Sequence, residues 1–317
     1  MRLRLQAIMF FAVLLLQGSV LAKEDYPQRI ISLGPAITEE LYLLGAGDRL
    51  VGCTVYCQRP DEAKKKEKIG TVMEVNLEKI VALRPDVVLM TPLTNSRAKE
   101  KLKNLGIKVI EFPAAKDFSG ICSSFLELGR ILGKEKEAGE IVKIAGNKVD
   151  SLTLKLRGLS KPRVFIQVGA KPLVTVTEDS FANDFIEFSG GVNIAKGIRY
   201  ARYSREKVLE ANPEVILIVT MGINGEKEKE VWQSYKALKA ARDNRIYILD
   251  SYRLCSPTPV SFIETLETIA GLLHPQNEPR SSELRPPPPT RCKALHRVGG
   301  GGNFEIPYNK LKKEDGV

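Results

Sequence analysis

Cysteine and histidine are the residues of this 317-residue chain best suited to nucleophilic or metal chemistry. Only two histidines occur, His274 at the end of the last apolar helical segment and His296 near the C terminus. A Ser-His-Asp or Cys-His hydrolase needs a histidine beside its nucleophile, which these positions do not favour. The chain also lacks a Walker-type phosphate loop, and Gly45-Ala46-Gly47 lacks the third glycine of a dinucleotide fingerprint. We therefore expect a protein that is not an enzyme.

Three cysteines lie where predicted strands end. Cys53 and Cys57 flank Tyr56 after an early strand, and Cys255 follows a late one. In an oxidising compartment, a disulfide between Cys53 and Cys57 is the first expectation. Pairing with Cys255, or joint thiolate ligation of a soft metal centre, is the alternative, and the spacing does not separate them. In each case we predict that the thiols lie at the rim of a binding site.

Tyrosines and arginines also accumulate in the segments that follow predicted strands. Ligands of open α/β sheets bind beyond the carboxyl ends of the strands, so these segments are candidate binding loops. Aromatic stacking combined with guanidinium donors suits a large, flat, partly anionic ligand. The side chains concerned are Tyr56, Tyr200, Tyr203 and Tyr252, with Arg59, Arg199, Arg202 and Arg253 beside them.

The elements that must position these loops form two similar halves. Segments 76–89 and 204–217 each contain an N-cap residue, a glutamate two positions later, a short helix, a proline and an apolar strand. The two glutamates, Glu78 and Glu206, occupy the first helical turn, where the helix dipole favours a carboxylate. The remaining sequence alternates strands and helices, which predicts an α/β fold.

One amphipathic segment separates the two halves. Residues 134–158 place apolar side chains at the spacing of a single helical stripe, with charged residues between them, and Gly158 ends the pattern. We predict two Rossmann-like lobes, each with a central, mainly parallel sheet, at 23–133 and 159–274. One long backbone helix would join them.

Two local predictions concern the second lobe. Segment 232–241 has the pattern of one helix, and segment 252–257 follows the last strand as a loop. That loop would carry Tyr252, Arg253 and Cys255 to the edge of the sheet.

The two ends of the chain differ in composition from the body. Residues 1–22 have a basic start, a short apolar run and a small-residue cleavage site, which predicts a cleaved signal peptide and a periplasmic protein. Residues 275–317 contain a proline run and a glycine run, and we predict them to be disordered. Residues 1–22 and 275–317 account for half of the formal charge of +10, and the rest is spread among alternating Lys-Glu helices, which argues against nucleic-acid binding.

Segment 28–274 resembles the periplasmic substrate-binding proteins of ABC importers that have a helical backbone. This family handles cobalamin, ferric siderophores and haem, and the cobalamin-binding member is the most similar. The motifs are Arg29-Ile-Ile-Ser-Leu-Gly-Pro-Ala-Ile-Thr-Glu39, the two repeated segments, Pro162-Arg-Val-Phe-Ile-Gln167 and Ser189-Gly-Gly-Val-Asn193. The resemblance implies a monomer without a cofactor that captures a metal chelate and delivers it to an inner-membrane permease. A corrinoid is the first expectation, and a ferric siderophore or haem the second.

The resemblance also implies roles for individual residues. Glu78 and Glu206 match the glutamates, one in each lobe, that face arginines of the permease. Tyr56 matches a tyrosine that contacts the corrin, and Tyr200 stands where the family member has tryptophan. Asp250 lies near the position of an acidic ligand contact.

The chain departs from the family pattern at several ligand positions. Val72 stands where another tryptophan is expected, Leu254 stands where an arginine is expected, and the cysteines have no counterpart. We therefore keep an alternative function of another class, in which the chain is a periplasmic metal-handling or chelatase-like protein that uses Cys53, Cys57 and Cys255.

Overall fold

Short runs of valine, isoleucine and leucine form the buried strands of two separate sheets. A computed structural model of the protein describes residues 26–220 and 224–275. The predicted signal peptide and, apart from Pro275, the predicted tail lie outside the described residues. Within the described ranges, none of the helices combines the length and apolar character needed to cross a membrane.

The first sheet has five parallel strands in the order β3-β2-β1-β4-β5. Helices connect them, as parallel pairing requires. The strands are β1 (Ile30–Ser32), β2 (Leu50–Cys53), β3 (Glu67–Lys68), β4 (Val87–Met90) and β5 (Val109–Glu111), and the helices are α1 (Pro35–Leu43), α2 (Asp61–Lys64), α3 (Leu77–Ala82), α4 (Ser96–Asn104) and α5 (Phe118–Leu132).

The second sheet has the order β10-β9-β6-β7, with β8 also paired to β6, and only β7 runs antiparallel. Its strands are β6 (Arg163–Ala170), β7 (Leu173–Thr175), β8 (Val192–Asn193), β9 (Val215–Val219) and β10 (Ile246–Leu249). The helices are α7 (Phe181–Phe188), α8 (Arg205–Ala211), α9 (Gly225–Ser234), α10 (Lys239–Arg242), α11 (Ser251–Cys255) and α12 (Pro259–Leu273).

The long helix α6 (Glu135–Lys155) joins the two lobes. Its 21 residues give a rod of about 31 Å. Ala138 and Ile141 are buried in the core of the first lobe, whereas Ala145 and Val149 are buried in the core of the second. One apolar stripe therefore serves both cores, and the fold class predicted from the sequence is confirmed.

The two repeated segments adopt matching conformations. Arg84 and Asn212, which precede the equivalent prolines, have φ angles of 45° and 44°. The Asp86 carboxylate accepts a 2.8 Å hydrogen bond from the Arg29 amide at the start of β1. The Glu214 carboxylate accepts a 3.0 Å bond from the Arg163 amide at the start of β6. In each lobe, the acidic side chain therefore links the repeated segment to the central strand of the sheet by a hydrogen bond.

Two local predictions for the second lobe are wrong. Segment 232–241 is not one helix, because α9 ends at Ser234 and α10 begins at Lys239. Because the chain changes direction between the two helices, the side chains of Trp232 and Leu238 are both buried in the same hydrophobic core. Residues 252–255 of segment 252–257 are helical rather than part of a loop, because the Asp250 carboxylate accepts from the Tyr252 amide at 2.9 Å and so caps the N terminus of α11.

Candidate ligand-binding cleft

The turn after β2 presents aromatic surface at the edge of the first sheet. The Cys57 amide donates to the Thr54 carbonyl at 3.1 Å, which closes the turn and turns Val55 and Tyr56 outward. The Tyr56 side chain is 54% exposed. It therefore lies beyond the carboxyl end of a parallel strand, where the sequence predicted it.

Two further apolar side chains lie at the same edge. Met73 is 68% exposed in the turn closed by the Gly70–Val75 bridge after β3, and Leu93 is 71% exposed in the turn after β4. The strand pattern predicted the loop of Leu93 but not that of Met73, because β3 is only two residues long. The family resemblance alone pointed to the second loop, through Val72. Exposed apolar groups gathered at one edge mark a binding surface rather than a core.

Arg59 connects the two lobes. Its Nη2 lies 2.8 Å from the Asp250 carboxylate, and its guanidinium lies 4.7 Å from the centre of the Tyr252 ring. The Tyr252 hydroxyl donates to the Pro35 carbonyl at 3.1 Å, also from one lobe to the other. Three predicted ligand residues thus contact one another, and in this structure they hold the lobes together.

A buried carboxyl group lies near this bridge. Glu39 on α1 is 2% exposed, and neither of its carboxylate oxygens has a hydrogen-bond partner among the described residues. Burial raises the pKa of Glu39 to about 7, with Arg59 and Arg253 opposing the rise and Glu264 adding to it. The sequence analysis did not identify Glu39.

The neighbouring Glu40 is also buried. Burial, followed by the charge of Glu39, raises the pKa of Glu40 to about 8. A sequence signal for it exists, because Glu40 lies three residues after Ile37 and one before Leu41, on the apolar stripe of α1.

The second lobe contributes exposed side chains from the segment between β8 and α8. The Thr175 amide donates to the Ala201 carbonyl at 2.8 Å, and the Tyr203 amide donates to the Leu173 carbonyl at 2.9 Å. These hydrogen bonds fix the segment beside β7. Two of its side chains are exposed there, Tyr200 at 73% and Arg202. Leu254, at a position where the resemblance implies a ligand-binding arginine, is instead buried in the core of the second lobe.

The cysteines do not lie at the rim of the cleft as predicted. Cys53 and Cys57 are fully buried in the core of the first lobe, whereas Cys255 packs against that of the second. All three are free thiols. The described residues contain no group of three or more His, Cys, Asp or Glu side chains able to hold a metal. The three-cysteine metal centre and pairing with Cys255 are therefore wrong for this structure, while a Cys53–Cys57 disulfide stays a prediction.

Comparison with known proteins decides the family. Residues 30–253 match the sequence profile of the family described as periplasmic binding protein. This chain belongs to that family. The resemblance found in the sequence is confirmed.

Several members of the periplasmic binding protein family are similar over most of the chain. The uncharacterized ABC transporter substrate-binding lipoprotein YvrC of Bacillus subtilis is 32% identical over 257 residues, which cover 78% of this chain and 81% of YvrC. The periplasmic vitamin B12 binding protein BtuF of Vibrio cholerae has a solved structure that is 26% identical, with a TM-score of 0.68, covering 80% of this chain and 99% of BtuF. The apo heme-binding protein RhuT from Roseiflexus sp. RS-1 shares the fold at 20% identity, with a TM-score of 0.71, covering 78% of this chain and 98% of RhuT.

The two glutamates predicted to face the permease have equivalent surroundings. Glu78 lies in the first turn of α3, where the Asn76 side chain accepts from the Lys79 amide at 2.9 Å. Glu206 lies in the first turn of α8, where the Ser204 side chain accepts from the Lys207 amide at 3.3 Å. Both glutamates are exposed, and neither forms an ion pair within the described ranges. Hydrogen bonds from its own amide and from Ser204 lower the pKa of Glu206.

Proposed function

We propose that this protein is the substrate-binding component of an ABC importer that captures a corrinoid between its lobes and delivers it to a membrane permease. The observation that carries the proposal is the row of exposed apolar side chains at the carboxyl edge of the first sheet, Val55, Tyr56, Met73 and Leu93. A folded protein exposes such a row where a partner or ligand covers it. Family membership supports transport as the purpose of that ligand binding.

The chemistry of the side chains that the two lobes place at the cleft supports a corrinoid as the ligand. A corrin ring has broad apolar faces that rings and aliphatic side chains can cover, and a periphery of polar amide groups that needs hydrogen-bond partners. Tyr56 and Tyr200 supply the aromatic surface, and Arg202 and Asp250 supply polar groups near it. The name of the similar Vibrio cholerae protein, which is a vitamin B12 binding protein, supports the same ligand.

Haem or a ferric siderophore is the second candidate. The observation that favours this candidate is the number of arginines. Arg59 and Arg253 lie close to the inter-lobe bridge, and Arg202 is exposed on the second lobe. Guanidinium groups suit an anionic chelate. The shared fold with RhuT is compatible with this ligand class but does not select it.

Titration of the purified protein with three chelates tests the proposal. Cyanocobalamin, hemin and a ferric hydroxamate siderophore would be added separately in a calorimeter, with absorbance spectra recorded for each mixture. We expect saturable binding of cyanocobalamin at one molecule per chain. Binding of hemin or the siderophore with no cyanocobalamin binding would select the second candidate, and binding of none would contradict both.

Alanine substitutions at the two exposed tyrosines should weaken ligand binding. Tyr56→Ala and Tyr200→Ala each remove a ring that ligand binding would desolvate, so each should cost roughly 1–3 kcal/mol of binding free energy, about 5- to 150-fold in Kd. Calorimetry with the ligand found in the titration measures this loss. Leu105→Ala is the matched control, because Leu105 is 58% exposed but follows α4 on another part of the lobe. Unchanged affinity in both tyrosine variants would exclude the cleft between the loops of Tyr56 and Tyr200 as the binding surface.

The proposed function is that of a binding protein without catalysis. It also includes two testable properties, export and a monomeric state. Cleavage after Ala22 would leave a mature chain that begins at Lys23 and lies in the periplasm. The intact mass of protein recovered from that compartment, together with its mass in solution by light scattering, checks both expectations. A retained leader or a stable dimer would contradict them.

A further inference from the structure

Cys53 and Cys57 form a close pair of buried sulfur atoms. Cys53 is the last residue of β2, Cys57 follows the turn, and both are 0% exposed. The Cys53 thiol donates a hydrogen bond to the Ala63 carbonyl at 3.6 Å, and the two sulfurs lie close enough to shift each other's pKa. The hydroxyls of Thr38 and Thr54 lie 3.1 Å and 3.2 Å from the Cys57 sulfur. The Cys57 sulfur therefore lies against two hydroxyl groups, and this polar environment suits a thiolate better than an apolar core would.

A lysine ammonium lies against the pair. In the β2–β3 ladder Lys68 is the residue opposite Cys53, so the register of two parallel strands brings the charge to the sulfur. Its Nζ donates to the Cys53 sulfur at 3.2 Å, to the Cys57 carbonyl at 3.1 Å and to the Ala63 carbonyl at 2.9 Å. All three ammonium protons thus have acceptors, and the cation is fixed beside the dithiol.

The surroundings of the two sulfurs favour a thiolate on Cys57. Its interactions with Cys53, Thr38 and Thr54 lower the pKa of Cys57, although burial opposes the change. The interaction with Cys57 and burial together raise the pKa of Cys53. Loss of one proton from the pair is therefore favoured, and the Lys68 ammonium, 3.2 Å from the Cys53 sulfur, stabilises the negative charge that results.

We infer that Cys53 and Cys57 are a redox-active dithiol that is reversibly oxidised to an intramolecular disulfide, and that Lys68 sets the equilibrium between the two forms. This inference goes beyond ligand transport and does not depend on which ligand binds. It also differs from the structural disulfide expected of an exported protein, because the reduced form is the one that the surrounding residues stabilise.

The reaction is thiol–disulfide exchange with an oxidant of the small-molecule or protein disulfide class. The Cys57 thiolate attacks one sulfur of the oxidant, its S–S bond breaks, and one thiolate leaves as a mixed disulfide forms. Cys53 gives up its proton and attacks the Cys57 sulfur, which releases the second oxidant sulfur as a thiolate. The two cysteines lose two electrons in total, the oxidant disulfide gains them, and its two thiolates take up the Cys53 proton and one from solvent.

Lys68 makes the disulfide easy to reduce. Oxidation removes the negative charge and leaves the ammonium with only the two carbonyl oxygens as acceptors. A neighbour that stabilises the thiolate favours the reduced form and so makes the disulfide more oxidising. The consequence for the cleft is direct, because Tyr56 lies inside the ring that the disulfide closes, and the Val55 amide in the same turn is bound to the Gly70 carbonyl at 2.9 Å.

Equilibration of the full chain with glutathione tests the inference. A Cys292→Ser background, with Cys122 and Cys255 kept as internal thiol references, would be incubated anaerobically in mixtures of reduced and oxidised glutathione until the composition stops changing. Acid quenching, alkylation and peptide mass mapping then give the fraction of each cysteine that is oxidised. An equilibrium readout is chosen because both sulfurs are buried and the approach of the oxidant is slow.

We expect one disulfide, between Cys53 and Cys57, that excess reduced glutathione reverses. Lys68→Met should raise the equilibrium constant for oxidation at least tenfold, whereas Lys65→Met, an exposed lysine of the same segment, should leave it unchanged. If Lys68→Met does not fold, Thr38→Val takes its place and should shift the constant in the same direction. The inference is overturned by thiols that stay reduced in every mixture, by a disulfide that glutathione does not reverse, or by equal constants in the test and control variants.

Discussion

Replacement of Glu39 and Glu40 together by glutamine should remove the loss of stability that the wild type shows as the pH rises from about 4.5 to about 8. Burial is the largest cause of both raised values, with the pKa of Glu39 near 7 and that of Glu40 near 8. The unfolded chain ionises these groups near 4.5. Between those values the folded protein binds more protons than the unfolded chain, so its free energy of unfolding falls as the pH rises.

The expected magnitude is large for a protein of this size. One pKa unit corresponds to about 1.4 kcal/mol, so each carboxyl should lower the free energy of unfolding by about 3 kcal/mol at pH 8 relative to pH 4.5. Carboxyls with lowered pKa values, such as Glu214 and Glu228, act below this window, because their stabilising ionisation is lost only as the pH falls below about 4.5.

Urea unfolding at about pH 5 and about pH 8 measures the effect. Glutamine keeps the shape of each side chain and removes only the ionisation, so the double variant should no longer lose stability between the two pH values. The lowered pKa of Cys57 acts in the opposite direction, so the double variant should be at least as stable at pH 8 as at pH 5. Glu74→Gln is the matched control, because Glu74 is exposed in the turn before α3. If the double variant lost stability between pH 5 and pH 8 as steeply as the wild type, the buried carboxyls would not be the cause.

Loss of both Glu78 and Glu206 should abolish the stimulation of the transporter without weakening ligand binding. Each carboxylate lies in the first turn of a capped helix, exposed and without an ion-pair partner in the described part of the chain. A carboxylate in this position can form a charge-assisted, bidentate contact with a permease arginine, which fixes orientation and speeds association. Because the two glutamates belong to equivalent repeats, one contact from each lobe would align the cleft with the permease.

Reconstituted transporter in liposomes provides the measurement. Glu78→Ala/Glu206→Ala protein should stimulate ATP hydrolysis at least tenfold less than wild type, while its unfolding midpoint and ligand affinity stay the same. The control is Glu74→Ala/Glu210→Ala, which removes one other exposed glutamate from each lobe. Full stimulation by the test variant, or equal loss in the control, would reduce Glu78 and Glu206 to ordinary helix-end residues.

The sequence by itself determined the architecture, because that architecture is encoded in local patterns. Caps at Asn76 and Ser204, and the matching prolines that follow, specified the two repeats before any contact between lobes was known. The apolar stripe of α6 predicted a long helix, and its burial in both cores follows from its length. Local patterning failed at 232–241, where burial of Trp232 and Leu238 in one core overrides helix propensity.

The tertiary structure decided which of the candidate residues interact. Arg59 and Asp250 are 191 residues apart in sequence, so no spacing could predict that they join the lobes or that Arg59 stacks with Tyr252. The raised pKa of Glu39 and the contact between the Lys68 ammonium and the Cys53 sulfur depend on which groups are buried together. Burial and long-range pairing arise only when the sheets and lobes assemble, because hydrophobic periodicity fixes the face of an element but not its distant neighbours.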